Sequence, residues 1–286
     1  MELPDEIIRL FPHHLCEAIQ SYSVSGVPMI EEIRCRIGQA AAVVTAGTEL
    51  QLDAATVTAE DLDHILERAT AFSYHAFADE LRRGYVHTPG GCRIGVCGTL
   101  TDGGMRDVSS ISFRLPHEIK GCADPVISEL MSDGPVSALI VSPPGGGKTT
   151  LLRDLIRLIS LEGYRVAVAD ERGELASVHR RKPQFDLGPH TDVMSAGSKH
   201  AACMMLIRSM NPQVLALDEI TEEADAEAVL YAAGCGVALL AAAHATGANS
   251  LNQRPLYRKL LAERIFKRAV EIRKIHGHRE YRVITL

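Results

Sequence analysis

The feature that most constrains the fold of this chain is the run "SALIVSPPGGGKTTLLRDLIRLI" at residues 137–159. An apolar, strand-like stretch leads into three glycines, and apolar residues at helical spacing follow Lys148. In a P-loop, glycines let backbone N–H groups converge on nucleotide phosphates, the lysine reaches the β and γ phosphates, and the next hydroxyl, here Thr149, holds magnesium. The run therefore predicts a nucleotide-binding strand, loop and helix; the alternative is an ordinary glycine turn before a helix.

One position departs from the GxxxxGK[ST] pattern, because Ser142 replaces its first glycine. Serine costs little where the local φ is negative, so we expect the site to bind nucleotide and Ser142 to affect the rate. The residues predicted to surround the phosphates are Pro144, Gly145, Gly146, Gly147, Lys148, Thr149 and Thr150.

An acidic pair follows the apolar run in "QVLALDEI". Asp218 is suited to hold magnesium together with Thr149, and Glu219 is suited to polarise an attacking water molecule. The pair therefore predicts nucleotide hydrolysis. An acidic pair at a strand end is alternatively a cap of the next helix.

Two further strand patterns end in polar residues. "RVAVADERGE" places Asp170, Glu171 and Glu174 after one strand, and "VALLAAAHAT" places His244 after another. Open α/β folds bind ligands at the carboxyl edge of the sheet, so we expect these side chains beside the nucleotide. A single histidine in this position is alternatively a loop residue with no sensing role.

The pattern along the chain changes near residue 130. Residues 1–130 mix amphipathic helical stretches with short, glycine-punctuated strand patterns, which predicts a smaller N-terminal α+β domain of antiparallel strands covered by helices. Residues 131–286 alternate apolar strand patterns with helical ones, which predicts an α/β fold of the RecA-like P-loop class with a mostly parallel sheet. The elements predicted there are strands at 137–141, 165–169, 213–217 and 236–242, helices at 148–160, 198–210 and 222–233, and a terminal hairpin turning at His276 and Gly277.

Composition argues against several classes of protein. The first residues, "MELPDEIIRLF", are acidic where a signal peptide needs positive charge, and the most apolar later stretch, "GVALLAAA", is far shorter than a membrane span of roughly 20 residues. We therefore expect a cytoplasmic protein without a transmembrane segment. The seven cysteines form no CxxC pair and the twelve histidines lack metal-ligand spacing, so no structural metal is predicted.

Basic residues are concentrated near the end of the chain. Residues 252–286 carry ten Lys or Arg against three acids, although the net charge of the whole chain is −6. This basic segment predicts the solvated face of an amphipathic helix; an acidic partner, anionic lipid or nucleic acid is the alternative. Aromatic residues make up 5% of the chain and tryptophan is absent, so stacking on bases is poorly supported and nucleic acid is not the favoured partner.

Several of these runs together resemble the stage III sporulation protein AA family of endospore-forming bacteria, which is similar to the type II and type IV secretion ATPases. They are "SPPGGGKTTLLRDLIR", "VADERGELA", "TDVM", "MMLIRSMNPQVLALDEI" and "ALLAAAHA". The upstream runs "EEIRCRIGQAAAV" and "GGCRIGVCGTL" also resemble the N-terminal domain of that family. The resemblance therefore covers nearly the whole chain.

The resemblance implies an ATP site assembled from four motifs. It places Lys148 and Thr149 in the Walker A motif, and Asp218 and Glu219 in the Walker B motif. The acidic box would be Asp170, Glu171 and Glu174, and the histidine box would contain His244.

Arginines from the N-terminal domain often complete the site in secretion ATPases. Arg93 in "CRIGV" and Arg114 in "SISFRL" match such arginines by their strand context. The alternative is that both are solvated arginines on strands, which are common.

As a function, the resemblance implies an Mg²⁺-dependent ATPase in the mother cell that energises a channel complex across the forespore envelope. The implied partners are membrane-associated sporulation channel proteins, and the enzyme itself could lie peripherally at the forespore membrane. Secretion ATPases usually work as homohexameric rings, with each nucleotide between the two domains and near a neighbouring subunit. Two alternatives stay open: a scaffold that binds ATP with little hydrolysis, and a motor that translocates nucleic acid.

Overall fold

A computed structural model describes the chain except residues 1, 2, 4, 25–28, 46, 72–76, 83, 89, 90, 102, 103, 116, 117, 180, 196, 276 and 277. The chain forms two compact units. The first contains Met1–His117 and the short segment His179–Gln184, and the second contains Glu118–Val178 and Phe185–Leu286.

The first unit is an antiparallel sheet covered by helices. Its six strands lie in the order β3-β2-β1-β6-β5-β4, and apolar side chains from the strands and helices form one buried cluster. Helix α3 begins with a capping box, in which the side chains of Thr58 and Asp61 each accept the other residue's backbone N–H. The elements are α1 (Asp5–Ile8), α2 (His13–Val24), β1 (Glu32–Arg36), β2 (Ala40–Thr45), β3 (Thr48–Thr56), α3 (Ala59–Ala69), α4 (Ala78–Arg82), β4 (Tyr85–His87), β5 (Arg93–Thr101) and β6 (Gly104–Arg114).

The second unit is a seven-stranded sheet in the order β13-β12-β7-β11-β10-β8-β9. All neighbouring strands are parallel except β12 and β13, which form an antiparallel hairpin at one edge. The elements are α5 (Asp124–Leu130), β7 (Ala138–Ser142), α6 (Lys148–Leu161), β8 (Val166–Asp170), β9 (Thr191–Ser195), α7 (Lys199–Met210), β10 (Val214–Glu219), α8 (Glu223–Gly234), β11 (Ala238–His244), α9 (Ala248–Leu251), α10 (Pro255–Ala262), β12 (Arg268–Ile275) and β13 (His278–Thr285).

Helices cover both faces of this parallel sheet. One buried cluster joins α5 and α6 to the face that carries Ala138 and Ile140 of β7. The other joins α7, α8 and α10 to the opposite face, which carries Leu139 and Val141. Strands buried on both faces need apolar side chains at every position, and this is why "ALIV" and "VAVA" read as continuous apolar runs.

Residues 118–130 pack with the second unit, although the change of sequence pattern lies later, near residue 130. Helix α5 buries Val126 and Leu130 in the same cluster as Ile140 and Leu152. The apolar face of this helix is therefore stabilised by the parallel sheet. The predicted hairpin turn at residues 276 and 277 lies outside the described residues, but the strands on either side of it pair as β12 and β13.

Within the described residues, no helix combines the length and the apolar character needed to cross a bilayer.

Candidate functional site

Four parallel strands of the second unit end in polar residues at the same edge of the sheet. Strand β7 ends at Ser142 and is paired with β11, so that Ser142 lies opposite His244. Strand β10 lies on the other side of β11 and ends with Asp218 and Glu219, and β8 ends at Asp170. The strand order therefore brings these residues together at the carboxyl edge, where open α/β folds hold ligands.

The loop between β7 and α6 has the backbone that a phosphate cradle requires. Gly145 and Gly147 have φ of +71° and +102°, values that favour glycine. A Cβ at Gly146 would collide with the side chain of Ser142. Ser142 does not have a positive φ, is buried, and donates its hydroxyl to the Pro143 carbonyl at 3.0 Å. Serine fits at the first glycine position of the motif because Gly146 leaves room for it.

Lys148 begins α6 and its ammonium group is held by three acceptors. Nζ donates to the carbonyls of Ser142 and Pro143 at 3.0 and 3.1 Å, and it lies 2.7 Å from His244 Nδ1. With Nδ1 as acceptor, His244 carries its proton on Nε2, which lies 3.2 Å from Glu219 Oε2. Burial lowers the pKa of Lys148, and the charges of Glu219 and Asp218 oppose that shift. A continuous polar chain therefore links the P-loop lysine to the acid at the end of β10.

Thr149 and Asp218 face each other beside this chain. The threonine hydroxyl lies 3.4 Å from Asp218 Oδ1. Burial, followed by the negative charges of Glu174 and Asp170, raises the pKa of Asp218 to about 7. Near neutral pH the Asp218 carboxyl therefore binds a proton readily.

The described part of the chain contains no group of three or more His, Cys, Asp or Glu side chains suited to hold a metal ion. Magnesium needs no such cage, because it usually keeps several waters and binds one or two carboxylates together with substrate phosphates. Thr149 and Asp218 fit that chemistry. The raised pKa of Asp218 fits it too, since a cation at this position takes the place of the proton.

The segment after β8 folds back over its own strand end. Asp170 is fully buried, and its carboxylate accepts the backbone N–H groups of Leu175 and Ala176 at 3.1 and 2.8 Å. Burial raises its pKa, while those N–H groups lower it, and the net shift is upward. Buried Arg153 supports the same segment by donating to the carbonyls of Glu174 and Leu175. Asp170 therefore holds the backbone of residues 170–176, the acidic segment, in place. Glu171 and Glu174 in the same segment are more accessible.

Lys199 is a buried residue of this edge that the sequence patterns did not indicate. Its side chain is 7% exposed; Nζ donates to the Glu219 carbonyl at 2.6 Å and forms ion pairs with Asp225 at 3.1 Å and Glu171 at 3.7 Å. It thereby joins the acidic segment, the end of β10 and the start of α8. A lysine in the first turn of a helix is usually solvated, so no signal in the sequence distinguishes it.

Arg93 and Arg114 lie directly opposite each other on β5 and β6 of the first unit. With Glu32 and Arg34 they line a cavity of about 280 Å³ on that sheet. Arg34 and Arg114 contact Glu32 at 2.8 and 3.4 Å, and Arg93 stacks over the ring of Tyr85. Burial raises the pKa of Glu32, but the two arginines outweigh it and hold the pKa below its usual value. The two predicted arginines therefore belong to one cationic cluster.

A family model described as sporulation stage III, protein AA matches residues 1–284 of the chain. The chain belongs to this family. Stage III sporulation protein AA of Bacillus subtilis (strain 168) is 35% identical over 283 residues, which cover 96% of this chain and 92% of that protein. The resemblance noted in the P-loop and strand-end motifs is thus confirmed.

Solved structures of the ATPase DotB and of a pilus retraction motor share the fold of this sporulation family member. The ATPase DotB of Yersinia pseudotuberculosis superposes with a TM-score of 0.65 at 13% identity, covering 99% of this chain and 80% of that one. The pilus retraction motor PilT, solved with bound ADP, gives a TM-score of 0.63 at 19% identity, with coverages of 99% and 83%. At such identities the likeness concerns the fold alone, and it confirms the predicted α/β class with a largely parallel sheet.

Proposed function

We propose that this member of the sporulation stage III protein AA family is an Mg²⁺-dependent ATPase. The observation that carries the proposal is the polar chain from Lys148 through His244 to Glu219, beside the Thr149 and Asp218 pair. A loop that only turned the chain would not need a lysine and a hydroxyl from the start of α6 to converge with two acids from the end of β10. The structurally similar DotB proteins of Legionella pneumophila and Yersinia pseudotuberculosis are ATPases.

Each residue of the site has a role in this mechanism. The P-loop amides and Lys148 bind the phosphates. Lys148 exchanges one of its three acceptors, the His244 ring nitrogen, for a phosphate oxygen. That exchange releases His244, which couples the γ-phosphate to Glu219. Glu219 orients the attacking water, and Thr149 and Asp218 would hold magnesium, which neutralises developing phosphate charge when bound. Glu171 and Glu174 supply further carboxylates at the edge of the site.

The cellular role in this proposal follows from the family. The ATPase acts in the mother cell, peripherally at the forespore membrane, and energises assembly of or transport through a channel complex of membrane-associated sporulation proteins. The family assignment and the fold shared with a pilus retraction motor and with the ATPase DotB support that role. We propose further that the active form is a homohexamer.

Two substitutions test the assignment of the site. Lys148→Ala should weaken ATP binding by about 10- to 100-fold, because it removes a charged contact to phosphate. Glu219→Gln should leave binding within a few-fold and lower kcat by about 10²- to 10⁴-fold, since it removes the group that orients water. Calorimetric titration with Mg·ATP and phosphate release measure the two effects separately.

The matched controls are Lys259→Ala and Glu227→Gln, which remove the same groups from exposed positions on α10 and α8. Equal binding and turnover in the site variants and the controls would remove the assignment. Nucleotide binding without phosphate release in the wild-type protein would favour a scaffold that binds ATP. Phosphate release that requires a polynucleotide and falls steeply with salt would favour a nucleic-acid motor.

A further inference from the structure

The basic segment near the end of the chain contributes one arginine to the P-loop. Arg279 lies on β13, and its Nε donates to the carbonyl of Gly146 at 3.1 Å. A Cβ at Gly147 would lie 2.8 Å from Nε and 3.2 Å from Cδ of the same arginine. The arginine therefore packs against the last peptide of the loop, and only glycine at 147 leaves room for it.

The strand register explains how a residue so late in the chain reaches the loop. Strand β12 pairs in parallel with β7, the strand that leads into the P-loop, and Glu271 lies opposite Val141. Lys274 comes three residues later and lies about 10 Å farther along the strand direction. Arg279 is its partner on β13. The hairpin therefore extends past the carboxyl end of β7, to the level at which the loop begins.

The contact fixes the orientation of one peptide unit. In a planar trans peptide, the C=O and the following N–H point in opposite directions. An arginine that holds the Gly146 carbonyl on one side therefore directs the N–H of Gly147 to the other side. Within the described residues that N–H meets no acceptor. It precedes Lys148, the first residue of α6, where a helix N-terminus favours an anion.

We infer that Arg279 is a positioning residue of the phosphate site, which aims the Gly147 amide at a nucleotide phosphate by holding the Gly146 carbonyl from behind. This inference rests on the proposed ATP site and adds to it a residue from the C-terminal hairpin. The guanidinium also places a positive charge next to the loop. It acts on binding because the amide contacts the phosphate equally before and during hydrolysis.

Arg279→Ala tests the inference. We expect the Kd for Mg·ADP and the KM for ATP to rise about tenfold, while kcat at saturating ATP stays within twofold of the wild-type value. Arg279→Lys, which can donate one hydrogen bond but lacks the planar guanidinium, should recover part of the affinity. A merely structural contribution to folding would instead lower kcat, by reducing the active fraction, and leave KM unchanged.

Arg282→Ala is the matched control, because Arg282 is an exposed arginine on the same strand. If Arg279→Ala binds Mg·ADP as tightly as Arg282→Ala and the wild type, the inference is wrong while the proposed ATP site stands. If the wild-type protein itself binds neither Mg·ADP nor Mg·ATP, the proposed site fails and the inference fails with it. Calorimetric titration of the three proteins separates these outcomes.

Discussion

At the scale of single residues, Asp218 is a candidate magnesium ligand whose ionisation lowers the stability of the fold. Its pKa is raised from 3.8 to about 7, first by burial and then by Glu174 and Asp170. A carboxyl whose pKa is raised in the fold costs folding free energy once it ionises. This cost is absent well below pH 4, grows as pH rises from about 4, and is complete above about pH 7.

Asp218→Asn should remove this pH-dependent cost, because asparagine cannot ionise. Without added magnesium or nucleotide, the free energy of unfolding of the wild type relative to the variant should fall between pH 5 and pH 8. The expected fall is on the order of 1–4 kcal/mol. Urea unfolding at the two pH values measures it. An equal difference between the two proteins at both pH values would contradict the assigned titration.

The positions of candidate site residues could be predicted from the sequence where polar residues coincide with strand ends. Ser142, Asp218 and His244 each end an apolar run, so their place at one sheet edge follows from parallel pairing. Lys199 and Arg279 could not be predicted, because each depends on a contact between distant segments. The backbone contacts of Asp170 were equally hidden, since they arise from a segment that folds back without regular structure.

At the scale of elements, Lys199 is the point at which three of them are tied together. It lies at the start of α7 and contacts the carbonyl of Glu219 at the end of β10 and the carboxylate of Asp225 in α8. Asp225 is itself buried and accepts the backbone N–H groups of Thr221 and Glu222. Loss of the lysine would therefore leave a buried carboxylate without its cation.

Lys199→Met should destabilise the protein by about 3–5 kcal/mol, because it breaks a buried ion pair from one side. It should also lower kcat, since the backbone that carries the Glu219 carboxylate loses its support. Lys259→Met, an exposed change on α10, should alter stability by less than about 0.5 kcal/mol. Urea unfolding of both variants checks the comparison. Equal midpoints would show that Lys199 does not hold these elements together.

The elements around the P-loop could be predicted closely, and others could not. The strand predicted at 137–141 is Ala138–Ser142, and the helix predicted at 148–160 is Lys148–Leu161, because long apolar runs fix both. Strand β9, Thr191–Ser195, was not predicted as a strand. It lies at the sheet edge and is nowhere fully buried, so it carries too few apolar residues to form a pattern.

At the scale of the whole molecule, the proposed hexamer predicts which residues act between copies of the chain. Arg93 and Arg114 form a cationic cluster on the first unit, and Glu32 neutralises part of it. The proposed hexamer gives these arginines a use, because a neighbouring copy can supply them to the phosphates. Specific activity should then rise with protein concentration.

Mixing two inactive variants tests this assembly directly. Glu219→Gln lacks the group that orients water, and the double variant Arg93→Ala with Arg114→Ala lacks two arginines of the cationic cluster. If the arginines act across subunits, phosphate release by the mixture should exceed the sum of the separate proteins, since some interfaces combine an intact Glu219 with intact arginines. An activity equal to that sum would place the arginines outside the neighbouring site.

The fit of Ser142 against Gly146 has an evolutionary consequence. The serine side chain occupies the space that a Cβ at 146 would need, so the two positions are epistatic. A lineage can acquire serine at the loop entry only while glycine persists four residues later. With serine at 142, a side chain at 146 requires the Ser142 side chain to move or to be replaced by glycine. Steric contact between these two positions therefore constrains the order of substitutions at this loop.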